Sequence, residues 1–121
     1  MRTHESLTRI VLLIALVSLA ACKESTPADM YVADPNAVIR GKAIFTGTCG
    51  GYCHSTSPGL RDAPYLFDCV WKNGGSDQEI FSAIANGVPG TRMVSFKGAL
   101  PEGDDDIWKI VAFLKTQRKV C

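Results

Sequence analysis

The sequence is short of the residues from which most active sites are built. Of 121 residues only two are histidines, His4 and His54, so a site assembled from several imidazoles is excluded. Charge of one sign is also lacking: 13 Lys and Arg face 12 Asp and Glu, a formal net charge of +1, which offers no basic face for nucleic acid. No stretch alternates apolar and polar residues as a half-buried strand would, and no internal repeat is evident. The one long apolar run, Ile10 to Leu19, is too short to span a bilayer.

What that run does resemble is a leader. Arg2 and Arg9 precede it, and Leu19-Ala20-Ala21-Cys22 closes it with small residues, the layout of a secretory signal over residues 1–21. Leu19 to Cys22 also resembles a bacterial lipobox, in which Cys22 is lipidated and becomes the mature N-terminus. The other reading is ordinary cleavage with Cys22 left as a free thiol, a liability in an oxidising compartment. By the same resemblance to Gram-negative lipoproteins, Lys23 after the cysteine implies a periplasmic protein held at the outer membrane. Removing Arg2, Arg9 and Glu5 leaves 11 basic and 11 acidic residues, a net charge of zero. Residues 22–34 are mostly polar and aperiodic, and read as a flexible tether to a domain over 35–121.

The chemistry of the chain centres on Cys49-Gly50-Gly51-Tyr52-Cys53-His54. Two thiols followed at once by a histidine suggest a covalently held haem c. Each sulfur can add to a vinyl group, and the imidazole can then reach the iron. The usual spacing is C-x-x-C-H, so one extra residue must be absorbed as a loop or bulge, and Gly50 and Gly51 tolerate the positive φ that a bulge often needs. Three other readings remain open. A zinc site would lack a fourth ligand nearby, a redox dithiol normally wants C-x-x-C, and a Cys49–Cys53 disulfide leaves His54 without a role.

Helix signals bracket the motif. Asp34 is an N-cap with Pro35 at the first helical position, and Val38, Gly41, Ile44 and Phe45 then share one face. Residues 55–68, with Pro58, Gly59 and Pro64, read as loop. Ser76-Asp77-Gln78-Glu79 has capping-box spacing and opens a helix that Gly87 ends. Residues 88–101 are a second loop. Asp104, Asp105 and Asp106 open a last helix, and Lys115, Arg118 and Lys119 close it, complementing its dipole at both ends. The fold class is therefore all-α: three main helices with long loops free to wrap around one group.

A second axial ligand must come from a small stock. His54 is the one histidine beyond the leader, and the methionines there are Met30, in the tether, and Met93, in the second loop. A lone methionine is normally core filler, but here Met93 is the candidate sixth ligand. With His54 and Met93 in place, residues 34–114 resemble a class I bacterial cytochrome c with a variant C-x3-C-H motif. Arg40 to Phe45 is similar to the segment before the attachment site, and Ile84-Ala85-Asn86-Gly87-Val88-Pro89-Gly90-Thr91-Arg92-Met93 to the segment leading to the methionine. Asp106 to Leu114 is similar to the C-terminal helix that crosses the first, which would set Gly41 and Phe45 near Phe113. The resemblance implies that the Pro64 carbonyl accepts the imidazole N–H and that Leu66 packs on the porphyrin, with Pro58-Gly59-Leu60 a competing match. It also implies that Trp71 donates to a propionate, a core aromatic being the alternative. Val94 stands where the family often has proline, so that backbone keeps its N–H.

Five cysteines divide into a lipid anchor, two thioethers and a remaining pair, Cys69 and Cys121, which the periplasm would join as a disulfide. Arg92 could face a propionate or a partner, whereas Arg61 reads as a solvated charge. The expected function is one-electron transfer, without enzymatic turnover, between protein redox partners: a donor such as a periplasmic dehydrogenase and a terminal acceptor. The rival readings are a haem enzyme or a gas or peroxide sensor with Met93 off the iron, and a haem-free lipoprotein with structural cysteines.

Overall fold

Asp34 begins the helix on which the molecule is built: its side chain accepts from the Asn36 N–H at 2.9 Å, and Pro35 follows with its φ already helical. The computed structural model describes residues 24–59 and 61–121. The leader, Cys22, Lys23 and Leu60 lie outside the described residues. Among the described residues there are four α-helices: α1 (Pro27–Val32), α2 (Pro35–Ile44), α3 (Asp77–Asn86) and α4 (Asp104–Gln117). A π-helical turn, Phe45–Gly50, continues α2 without a break. Among the described residues there is no strand, and the fold is all-α.

The helix α4 forms the centre. Its Ile107, Ile110, Val111 and Leu114 are buried against Phe45 from the π turn and Ile80, Ile84 and Ala85 from α3. The helix α2 crosses it at Gly41, where an added Cβ would lie 2.0 Å from the Lys109 carbonyl oxygen. The expected partner, Phe113, is met one turn further on by Phe45, with ring centroids 5.6 Å apart. On the other flank Phe81 of α3 stacks on Trp108 at 4.3 Å.

Two charged anchors fix these crossings. Asp106, expected only to complement a dipole, has a fully buried side chain that accepts from Arg40 at 2.6 and 3.0 Å and from the Glu102 N–H at 2.9 Å. These hydrogen bonds, Arg40's above all, hold its carboxyl below the ordinary value of 3.8 against the opposing effect of burial. Lys115 bonds Asp29 of α1 at 2.7 Å and Asp77 of α3 at 2.6 Å, joining three helices at one point.

The tether expectation fails over α1. Ala28 is fully buried, and Thr26 donates twice, from its N–H to the Asp29 carboxylate at 3.0 Å and from its hydroxyl to Asp77 at 2.8 Å. A six-residue helix is not stable alone; here packing on α4 and the Lys115 bridge supply what periodicity lacks. The other helix limits agree with the sequence signals. Ser76 and Glu79 form the capping box, and Gly87 ends α3 with φ 72°. Cys69 and Cys121 are joined as a disulfide, their Cα atoms 5.4 Å apart, so the last residue is pinned to the first loop.

Candidate functional site

A cavity of about 540 Å³ opens between the π turn, the two loops and the inner faces of α3 and α4, within the range of roughly 300–1,000 Å³ usual for small-molecule sites. Cys49, Cys53, His54, Leu66, Trp71 and Met93 all line it. Residues 44 positions apart in sequence are thus brought to one space, with Ile80, Ile84, Ile110 and Leu114 as its apolar floor.

The turn that carries the motif differs from the expected glycine bulge. Neither Gly50 nor Gly51 has a positive φ; Gly51 is right-handed helical at φ −65° and ψ −33°. The extra residue is taken up by winding: the Cys49 carbonyl accepts from both the Cys53 N–H, at 3.1 Å, and the His54 N–H, at 2.9 Å. Arg61 closes this turn from outside, donating to the carbonyls of Tyr52 at 2.9 Å and Gly51 at 3.2 Å. It is therefore a cap on the helix end and not a free solvated charge.

His54 is oriented by one hydrogen bond, from Nδ1–H to the Pro64 carbonyl at 2.8 Å. A carbonyl can only accept, so Nδ1 must hold the proton, and neutral His54 keeps a lone pair on Nε2. Between the two proline candidates, Pro64 is the one that His54 reaches. The sulfurs of Cys49 and Cys53 are not joined to each other. Burial, and next the neighbouring Cys53, push the Cys49 thiol up to about 11. A protonated thiol is a poor partner for disulfide exchange, which counts against the redox-dithiol reading. Among the described residues no group of three or more His, Cys, Asp and Glu is placed to hold a metal ion, so a closed zinc site does not form there.

Met93 is set by its loop. The Val88 N–H donates to the Met93 carbonyl at 3.0 Å, and the Met93 N–H donates to Thr91 Oγ1 at 3.1 Å. A Cβ at Gly87 would lie 2.6 Å from the Met93 carbonyl oxygen, so glycine is needed there for contact as well as for φ. Arg92 pairs with Asp62, tying the methionine loop to the loop that carries Pro64. Both side chains are exposed, so the pair is worth at most about 1 kcal/mol. Asp62 was not legible as a site residue, because nothing local connects it to a position 30 residues away.

Trp71 also lines the cavity, its ring flanked by Gly75 and by Arg118, whose guanidinium lies 5.6 Å from the ring centroid. Its Nε1–H is buried and has no hydrogen-bond partner among the described residues. Leaving such a donor unpaired costs about 1–3 kcal/mol, and the group is one that a bound acceptor would satisfy. The donor set is thus two unbonded thiols, one imidazole nitrogen, one thioether and one orphaned indole N–H around an apolar space. No family model, curated protein or solved structure matches the chain.

Proposed function

We propose that the cavity holds one haem c and that the chain is a one-electron carrier of the class I bacterial cytochrome c type. The single observation that carries this reading is the arrangement of His54. Its Nδ1–H is committed to the Pro64 carbonyl, and it shares one cavity with two unbonded thiols and with Met93. The residues present fit the group: Cys49 and Cys53 would hold it covalently, and His54 Nε2 and Met93 Sδ would be the axial ligands. Trp71 Nε1 is a donor in want of an acceptor such as a propionate. When bound, the haem supplies an iron that cycles between Fe(III) and Fe(II).

The chain's own residues then have definable tasks. The Pro64 carbonyl fixes the imidazole tautomer and raises its basicity as a ligand, as outer partners of ligating histidines do. Leu66, Ile84 and Leu114 keep water from the site, and a dry, apolar surround favours the less charged Fe(II) state. A thioether from Met93 favours Fe(II) as well. Little needs to move, because the disulfide, the Arg61 cap and the Arg92–Asp62 pair tie down the surrounding loops. Donor and acceptor are redox proteins, a periplasmic dehydrogenase and a terminal acceptor, met through an apolar rim around the porphyrin edge in short-lived encounters. A lipid on Cys22 would keep the carrier at the periplasmic face of the outer membrane.

The test is an optical spectrum of periplasmically matured protein, oxidised and reduced, with carbon monoxide added last. A sharp reduced α-band, a weak far-red methionine-to-iron band when oxidised, and indifference to carbon monoxide are the expected results. Carbon monoxide binding would transfer the proposal to a haem enzyme or sensor, and absence of a haem spectrum would end it.

A further inference from the structure

The π-helical turn Phe45–Gly50 runs into the cysteine motif, sharing Cys49 and Gly50 with it, and the bond from the His54 N–H to the Cys49 carbonyl continues the wide winding beyond its end. A π turn is one residue inserted in an α-helix, and such insertions cluster at functional sites. The motif from Cys49 to His54 is likewise one residue longer than the spacing that thiol attachment ordinarily uses. The hydrogen bond from the His54 N–H to the Cys49 carbonyl spans five residues, and in the shorter motif the same two groups would be four apart, an ordinary α-helical bond.

Winding decides which way the three side chains face. At about 100° per residue, α-helical winding from Cys49 would put Cys53 about 40° away but His54 about 140° away, on the opposite side of the helix. Bonds from i to i+5 take more residues per turn, roughly 80° each, which puts Cys53 and His54 within about 40–50° of Cys49 on either side. All three side chains do line the one cavity. We infer that the wide winding that starts in the π turn and ends in the bond from the His54 N–H to the Cys49 carbonyl is a register device: it takes up the extra residue of Cys49–Cys53 so that both thiols and His54 face the cavity together, with Arg61 capping the overwide turn through the Gly51 and Tyr52 carbonyls. The chemistry of this inference rests on the haem reading, whereas its register is independent of it. Gly51 is the surplus residue. Its backbone is plain right-handed helix and its Cβ position touches nothing closer than 3.4 Å, so no strained conformation requires a glycine there. Arg61 is a positioning residue, which acts through the turn that carries the two cysteines and His54.

The test removes one residue. Deleting Gly50 or Gly51 gives the same chain, with the motif shortened to the ordinary spacing, and lets the π turn close to α. Deleting Ser82, in the straight helix α3, is the comparison, since nothing there can absorb the resulting rotation of about 100°. Full-length matured protein is compared by thermal melting, by mass, by the pyridine haemochrome position that counts thioethers, and by the far-red band. The glycine deletion is expected to melt within about 5 °C of the parent, to keep two thioethers and to keep the methionine band, while the Ser82 deletion loses its cooperative melt. A glycine deletion that unfolds as the Ser82 deletion does, or that folds with one thioether or without the far-red band, overturns the inference. If the parent chain carries no haem, the haem reading falls, and the melting comparison alone upholds or refutes the register claim.

Discussion

Replacing Gly41 by alanine tests the crossing that holds the site walls together. The new Cβ would lie 2.0 Å from the Lys109 carbonyl oxygen, 2.5 Å from its carbon and 3.1 Å from the Ile110 nitrogen. All three are backbone atoms of α4, so no rotamer change relieves the contact, and α2 must back away by more than about 1 Å to restore ordinary packing. That movement also draws Arg40 from the buried Asp106 and Phe45 from Phe113. Overpacking of this kind costs about 1–3 kcal/mol, and a backbone clash belongs at the upper end. The gain from alanine over glycine in a helix, up to about 1 kcal/mol, offsets part of it. A net loss of about 2–3 kcal/mol translates to a fall in Tm of roughly 10–20 °C for a domain of this size. The control is Gly47→Ala, where nothing lies within 4 Å and φ is not positive; its Tm should stay level or rise slightly. Thermal melts followed by far-ultraviolet circular dichroism decide the matter. A Gly41→Ala protein melting within about 3 °C of the parent would refute the crossing geometry.

Three further outcomes are expected. Met93→Ala should abolish the far-red band and open the iron to carbon monoxide without loss of covalent haem; an unchanged spectrum would remove Met93 from the ligand set. Cys121→Ser opens the loop closed by Cys69, whose ends are 52 residues apart, and the chain-entropy relation puts the cost near 4 kcal/mol; a Tm unaffected by the substitution, or by a reductant, would contradict it. Asp106 has a carboxyl depressed in the folded state, first by Arg40, so its contribution is present above the ordinary value of 3.8 and disappears as pH falls through the lower folded value. Asp106→Asn should therefore be less stable than the parent at pH 7 by about 1.5–3 kcal/mol and should show a flatter Tm profile below about pH 4. Parallel profiles for the two proteins would count against that linkage.

Local chemistry was legible in the sequence wherever a signal and its effect lie within a few residues. Asp34 with Pro35, the Ser76–Glu79 box and Gly87 marked helix ends because a cap satisfies backbone groups one turn away. Cys49, Cys53 and His54 stood out as a local cluster in the same way, and the three residues line one cavity. Reading Cys22 as a lipid anchor and Cys49 and Cys53 as thioethers left Cys69 and Cys121 as a pair, and those two residues are joined. What the tertiary structure decided is of another kind. Residues 27–32 are helical because Ala28 finds a buried place and Lys115 bridges Asp29 to Asp77, contacts 86 and 38 residues apart in sequence. Asp106 is a buried anchor and its neighbours Asp104 and Asp105 are exposed, a distinction set by Arg40 on another helix. The carbonyl of Pro64 and not that of Pro58 accepts from the imidazole N–H, and Arg61 caps a turn, because loop paths, which no short-range rule prescribes, bring them there. The extra motif residue required accommodation of some form. It was absorbed in helical winding, with no positive φ at Gly50 or Gly51, the Cys53 and His54 N–H groups both donating to the Cys49 carbonyl, and only the tertiary structure shows that Cys49, Cys53 and His54 line one cavity.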